Sequence, residues 1–145
     1  MENFHVTLHF LGDQDQATRE RLIEKLRKGN YPAPFDLSLS RVSAFPNMSA
    51  PSIFHVELAQ SEPASLLHRE TGNAVASLGI PLDSRAWTPH VTIGRQKDLA
   101  KPRASLTVMD FPVPDLSFRV SSFALVRSTL KAEGSVYDPV EEFVL

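Results

Sequence analysis

Residues 5–12 read "HVTLHFLG" and residues 90–97 read "HVTIGRQK". The first stretch alternates as a strand does. Phe4, Val6, Leu8 and Phe10 fall to one side, and His5, Thr7 and His9 to the other. In the second, His90 and Thr92 share a side, with Val91 and Ile93 opposite. Side chains two apart on a strand point the same way and lie roughly 6.5–7 Å apart along it. Each copy therefore packs aliphatic groups on a core and offers an imidazole and a hydroxyl on its other face. Two such strands facing each other line a groove with two imidazoles and two hydroxyls.

The rest of the chain reads outward from these strands. "DQDQATRERLIEKLRKGN" predicts a helix from about Asp15, with Leu22, Ile23 and Leu26 at helical spacing and Gly29 as its stop. "FDLSLSRVSAF" (35–45) and "SIFHVEL" (52–58) alternate as strands around the turn-rich "PNMSAP". "EPASLLHRETGNAVASLG" predicts a second amphipathic helix with Leu66, Leu67, Ala74, Val75 and Leu78 inward, weakened in its middle by Gly72. "LSFRVSSFALVRSTL" (116–130) supplies one long strand or two short ones, and "EGSVYDPVEEFVL" a turn and a terminal strand. Strands joined by short turns beside two separate helices indicate an α+β class with mainly antiparallel sheets. A helix near each His-x-Thr copy points to a two-lobed, pseudo-symmetric body forming a single domain over residues 1–145.

Composition narrows the function. The 145 residues are 42% hydrophobic and 22% charged, and no apolar run reaches the length of a membrane span. "MENFHVTLHF" lacks the basic start and cleavage site of a secretory signal, so the expected compartment is the cytoplasm. With no cysteine there is neither a disulfide framework nor a thiolate nucleophile. A net charge of −2 argues against a broad nucleic-acid-coating surface. Residues 85–131 are locally basic, with Arg85, Arg95, Lys97, Lys101, Arg103, Arg119, Arg127 and Lys131 against Asp98, Asp110 and Asp115. Such an excess draws a small anionic group into a cleft.

Paired histidines and hydroxyls suit phosphodiester chemistry without a metal. One neutral imidazole takes a proton from the attacking oxygen, one imidazolium protonates the leaving oxygen, and hydroxyls hold the non-bridging oxygens as charge builds. An ordinary histidine pKa of about 6.5 keeps both forms within reach at neutral pH. A zinc site fits less well, because His5 and His9 are about 13 Å apart by strand rise. No Gly-rich phosphate loop, Gly-x-Ser-x-Gly or HExxH occurs. His55 and His68 read as isolated residues, one on a strand face and one on a helix surface.

"ENFHVTLHFLG" and "TPHVTIGR" resemble the two signature motifs of the two-histidine (2H) phosphoesterases. The branch they resemble is the LigT-like RNA 2′,3′-cyclic phosphodiesterases, once described as 2′-5′ RNA ligases. "VSAFPNMSAPSIFHVEL" and "FALVRSTLKAEGSVYDPVEEFVL" are similar to that family's Phe-Pro turn and C-terminal segment, so the likeness covers nearly the whole chain in order. It implies a two-lobed fold with a central groove, no metal or other cofactor, and hydrolysis of 2′,3′-cyclic phosphate ends of RNA or nucleotides to 2′-phosphate. By position, His5 and His90 match the catalytic histidines, with His5 as acid and His90 as base, and Thr7 and Thr92 their phosphate-binding partners. Arg95 matches a basic residue after the second motif. Strict alternation puts Arg95 opposite His90, so it reaches the phosphate only through a bulge at Gly94 or an end to the strand there. Other readings are a phosphodiesterase for cyclic ADP-ribose phosphate or 2′-5′ oligoadenylate, and a catalytically silent RNA-end binding module. Family members usually carry a strand and a helix before the first motif. Here His5 is the fifth residue, so the expectation is either a fragment or a lobe short of those elements, whose uncovered sheet edge invites pairing with another chain.

Overall fold

The structure, a computed structural model, describes residues 4–47, 51–95, 112–131 and 134–145. Its elements run α1 (Gln16–Arg27), β1 (Phe35–Phe45), β2 (Ile53–Leu58), α2 (Glu62–Ala76), β3 (His90–Arg95), β4 (Ser117–Val120), β5 (Ser122–Lys131) and β6 (Gly134–Val144). Both helices begin where a side-chain oxygen meets an orphan backbone N–H. The Asp15 carboxylate accepts from Thr18 N at 2.7 Å, and Ser61 Oγ from Ala64 N at 3.5 Å. At the end of α1 the Tyr31 hydroxyl donates to the Leu26 carbonyl at 2.9 Å. The tyrosine ring lies across Gly29, where any Cβ would collide with it.

The chain divides into two compact units. The first comprises Met1–Thr7, Leu37–Gln60 and Trp87–Phe118, and the second Leu8–Asp36, Ser61–Ala86 and Arg119–Leu145. The second unit holds both helices and the antiparallel hairpin β5–β6. Its core is Leu22, Leu26, Val75, Ile80 and Phe143, with Ile23, Ala74, Leu78 and Phe123 packed against them. The expected inward positions of both helices are thus largely met, although Leu66 is only half-buried.

Gly72 does not interrupt α2. Glycine costs about 1 kcal/mol against alanine inside a helix, but here the ring of His9 lies against it. A Cβ would sit 3.1 Å from His9 Cε1. His9 also donates through Nε2 to the His68 carbonyl at 2.9 Å and stacks on the His68 ring at 4.3 Å. His68, read from sequence as a helix-surface residue, is therefore half of a stacked pair.

A four-stranded sheet ordered β3-β2-β1-β4 provides the frame of the first unit, with β1–β2 and β2–β3 antiparallel. On one face lie Leu37, Leu39, Val42, Ala44, Val56, Leu58 and Val91, of which Leu37, Ala44 and Leu58 are fully buried. Ser40 is an extra residue on β1, since Leu39 pairs with Leu58 and Arg41 with Glu57. It returns the alternation to register, so Arg41 and Ser43 emerge on the face away from those leucines.

One expectation changes and one open alternative closes. Residues 4–12 do not form a full strand; among the described residues they join the sheet through a single bridge, Val6 with Val91. The alternation there serves two purposes, because Thr7 ends one unit's segment and His9 packs on α2 in the other. The stretch 116–130 resolves into two strands separated at Ser121 and placed in different sheets. No helix of the described residues is long and apolar enough to cross a membrane.

Candidate active site

Val6 paired antiparallel with Val91 puts His5 across from Thr92 and Thr7 across from His90. Residues directly opposite share a face, so all four motif side chains emerge together. His5 and His90 are then diagonal neighbours, roughly 7–8 Å apart at the backbone. That gap admits one phosphoryl group between two imidazoles. The two motifs are thus side by side in one unit, brought together by lateral pairing. Trp87 holds the first of them in place, donating from Nε1 to the Thr7 carbonyl at 3.0 Å.

The face continues across the sheet. On β2, His55 is paired with Thr92 and Glu57 with His90; on β1, Ser43 is paired with His55 and Arg41 with Glu57. Two cross-sheet rows result, His5–Thr92–His55–Ser43 and Thr7–His90–Glu57–Arg41. His55 was read as a lone strand-face residue. It is 1% exposed, stacked on Phe45 at 4.2 Å and set 4.8 Å from the ring of His90. By the alternation of "FHVEL", His55 and Glu57 share one face of β2. The register that sets them beside His90 leaves no mark in either segment alone.

His90 donates through Nδ1 to the Thr88 carbonyl at 2.7 Å. This fixes the neutral tautomer and leaves Nε2 with the lone pair. Burial, and next the charge of His90, hold the His55 pKa below its ordinary value. Glu57 is also pulled down, chiefly by Arg41, whose Nε and Nη2 reach its two oxygens at 2.7 and 3.2 Å. The carboxylate is therefore charged and partly neutralised in place.

The register puts Arg95 on the same face through a bulge, one residue before the Gly94 at which it was expected. Phe54 pairs with Gly94 but His55 with Thr92, so Ile93 is an extra residue on β3. The bulge reverses the alternation, and Arg95, paired with Ile53, joins the side occupied by His55 and His90. Of the basic stretch 85–131, Arg85 is tied to Asp83, while Arg119 and Arg127 pair with Asp36 and Asp138. Lys97, Asp98, Lys101, Arg103 and Asp110 lie outside the described residues, as do Met48–Ala50 of the turn after β1. Among the described residues no three His, Cys, Asp or Glu side chains are grouped to hold a metal ion.

Residues 3–132 match the family described as the 2′-5′ RNA ligase superfamily. The RNA 2′,3′-cyclic phosphodiesterase of Geobacillus stearothermophilus is 30% identical over 145 residues, which is 99% of this chain and 46% of that protein. The protein of the same name from Aquifex aeolicus is 29% identical, over 99% of this chain and 79% of its own. Among solved structures, a Thermus thermophilus protein superposes with a TM-score of 0.80 at 29% identity, covering 98% of this chain and 78% of its own. Escherichia coli LigT complexed with 3′-AMP gives a TM-score of 0.71 at 21% identity, over 99% and 78% of the two chains. The chain thus spans about half of one relative and more than three quarters of the others.

Proposed function

The chain belongs to the 2′-5′ RNA ligase superfamily, and on that premise we propose that it hydrolyses 2′,3′-cyclic phosphate ends of RNA or nucleotides to 2′-phosphates, without a metal ion and in the cytoplasm. The observation that carries the proposal is the Val6–Val91 pairing, which sets the two His-x-Thr motifs side by side on a polar face.

In this mechanism His90 is the general base. Its Nδ1 is committed to the Thr88 carbonyl, so Nε2 is the nitrogen that accepts a proton from water. The hydroxide oxygen bonds to phosphorus, and the bond from phosphorus to the 3′ oxygen breaks. His5, as the imidazolium, delivers its proton to that oxygen, leaving a 2′-phosphate and a free 3′-hydroxyl. Thr7 and Thr92 donate to the non-bridging oxygens while negative charge builds, and Arg95 adds a fixed positive charge beside them.

The test is hydrolysis by the purified chain, in EDTA, of a panel of 2′,3′-cyclic nucleotides and an oligonucleotide with a cyclic phosphate end. Turnover unaffected by the chelator, with 2′-phosphate as product, is the expected result. Turnover lost in EDTA and restored by zinc or magnesium overturns the mechanism. Binding with no turnover of any member overturns the catalytic assignment.

A further inference from the structure

Neither ring nitrogen of His55 makes a hydrogen bond of full geometry among the described residues, although the Ile53 carbonyl and the Glu57 carboxylate both approach the ring. Glu57 Oε1 lies 3.8 Å from its Nε2, beyond bonding distance. A buried polar group without a well-formed hydrogen bond destabilises the fold, so a phenylalanine would fill this place more stably. What the imidazole has instead is company. Phe45 stacks on it, its ring is tilted 58° to that of His90, and Phe45 meets His90 edge-on at 5.1 Å. Three rings from β1, β2 and β3 form one cluster.

We propose that His55 is a positioning residue of the catalytic face that acts through His90, an assignment that rests on the reading of His90 as general base. An imidazole with neither nitrogen held by a well-formed hydrogen bond can hold either tautomer, so whichever nitrogen is nearer His90 can carry the lone pair. When His90 takes the proton from water, the imidazolium then meets a preoriented dipole rather than hydrocarbon. Burial keeps His55 neutral while this happens. The charged and titratable groups around it are Glu57 on its own strand, His90 on β3, and Arg41 of β1, which holds Glu57.

Wild type, His55→Phe and His55→Gln are compared as the full chain. Phenylalanine keeps the ring and removes both nitrogens; glutamine returns a carbonyl oxygen. In His55→Phe the melting temperature is no lower than wild type. Its kcat on 2′,3′-cyclic AMP falls about tenfold, with KM held within about twofold, the size of one lost polar contact to a charge. His55→Gln recovers part of kcat. In parallel, the His90 ring resonance is followed by NMR as pH is varied. Its titration midpoint falls in His55→Phe and moves back towards wild type in His55→Gln. An unmoved midpoint overturns the assignment, whether kcat is unchanged or lowered, because a loss without the shift belongs to packing alone. If wild type does not hydrolyse the substrate, it is the functional reading that fails, and the NMR arm still decides the role of His55. Should His55→Phe not fold, His55→Leu takes its place with the same expected outcomes.

Discussion

His90 comes to the candidate face with Nδ1 engaged by the Thr88 carbonyl. Nε2 is then the nitrogen that takes the proton from water in the proposed mechanism. With His90 as base and His5 as acid, the two roles are separable by substitution. With one imidazole neutral and the other protonated, the dependence of kcat/KM on pH is bell-shaped. His90→Ala removes the acidic limb and His5→Ala the basic limb. A substrate with a better leaving group at the 3′ oxygen needs less protonation there, so it rescues His5→Ala and leaves His90→Ala slow. Rescue of His90→Ala alone exchanges the two assignments. The pairing of His with Thr inside each motif was legible because an i, i+2 spacing on a strand is a local rule. The neighbourhood of His55 was not, because it depends on Glu57 meeting His90, a pairing between distant parts of the chain that no local pattern encodes.

At the scale of elements, both helices were legible from apolar spacing, the first also from Asp15 at its start and Gly29 at its end, and the strands from alternation. What alternation left undecided shares a cause. The first motif alternates over seven residues yet, among the described residues, makes one bridge, and the stretch 116–130, which allowed one strand or two, is shared between two sheets. In each case tertiary partners decide where a ladder stops. The bulges are the clearest case, since one added residue reverses every side chain beyond it. Arg95 depends on such a residue, because the added Ile93 offsets its odd spacing from Thr92. Deleting Ile93 removes the added residue and the reversal together, so Arg95 stays opposite Ile53 on the side of His90. KM for a cyclic phosphate is therefore expected to rise roughly tenfold or more in Arg95→Ala, which loses one charge-assisted contact, and to stay near wild type when Ile93 is deleted. Wild-type KM in Arg95→Ala, with the fold intact by circular dichroism, removes Arg95 from the phosphate site.

For the whole molecule, the resemblance of the sequence to one family along nearly its full length agreed with the family match, while the way three separate segments build each unit had no local signature. The two units nevertheless share a physical property, which is that each buries imidazole. His9 and His68 are held below their ordinary pKa of 6.5 by burial in one unit, and His55 by burial in the other. A histidine whose folded pKa is depressed is protonated more readily in the unfolded chain, so it contributes stability above about pH 6.5 that is lost as pH falls through its folded value. The depressed carboxylates have the same sign at lower pH. Glu57 and Asp15 begin to lose their contribution below their ordinary values of 4.5 and 3.8, while Asp83, held at about 2 by Arg85, keeps part of its own further down. Tyr31, raised by burial, acts only above pH 10. Stability against urea is therefore expected to be level between about pH 7 and pH 9, to fall from about 6.5 downwards as the histidines charge, and to fall again below about 4.5. In His55→Phe the first decline is shallower, since one of the three imidazoles is gone. A urea midpoint that stays constant from pH 7 to pH 5 in wild type shows that these rings already accept protons in the folded chain, which removes the burial penalty from which the decline is derived.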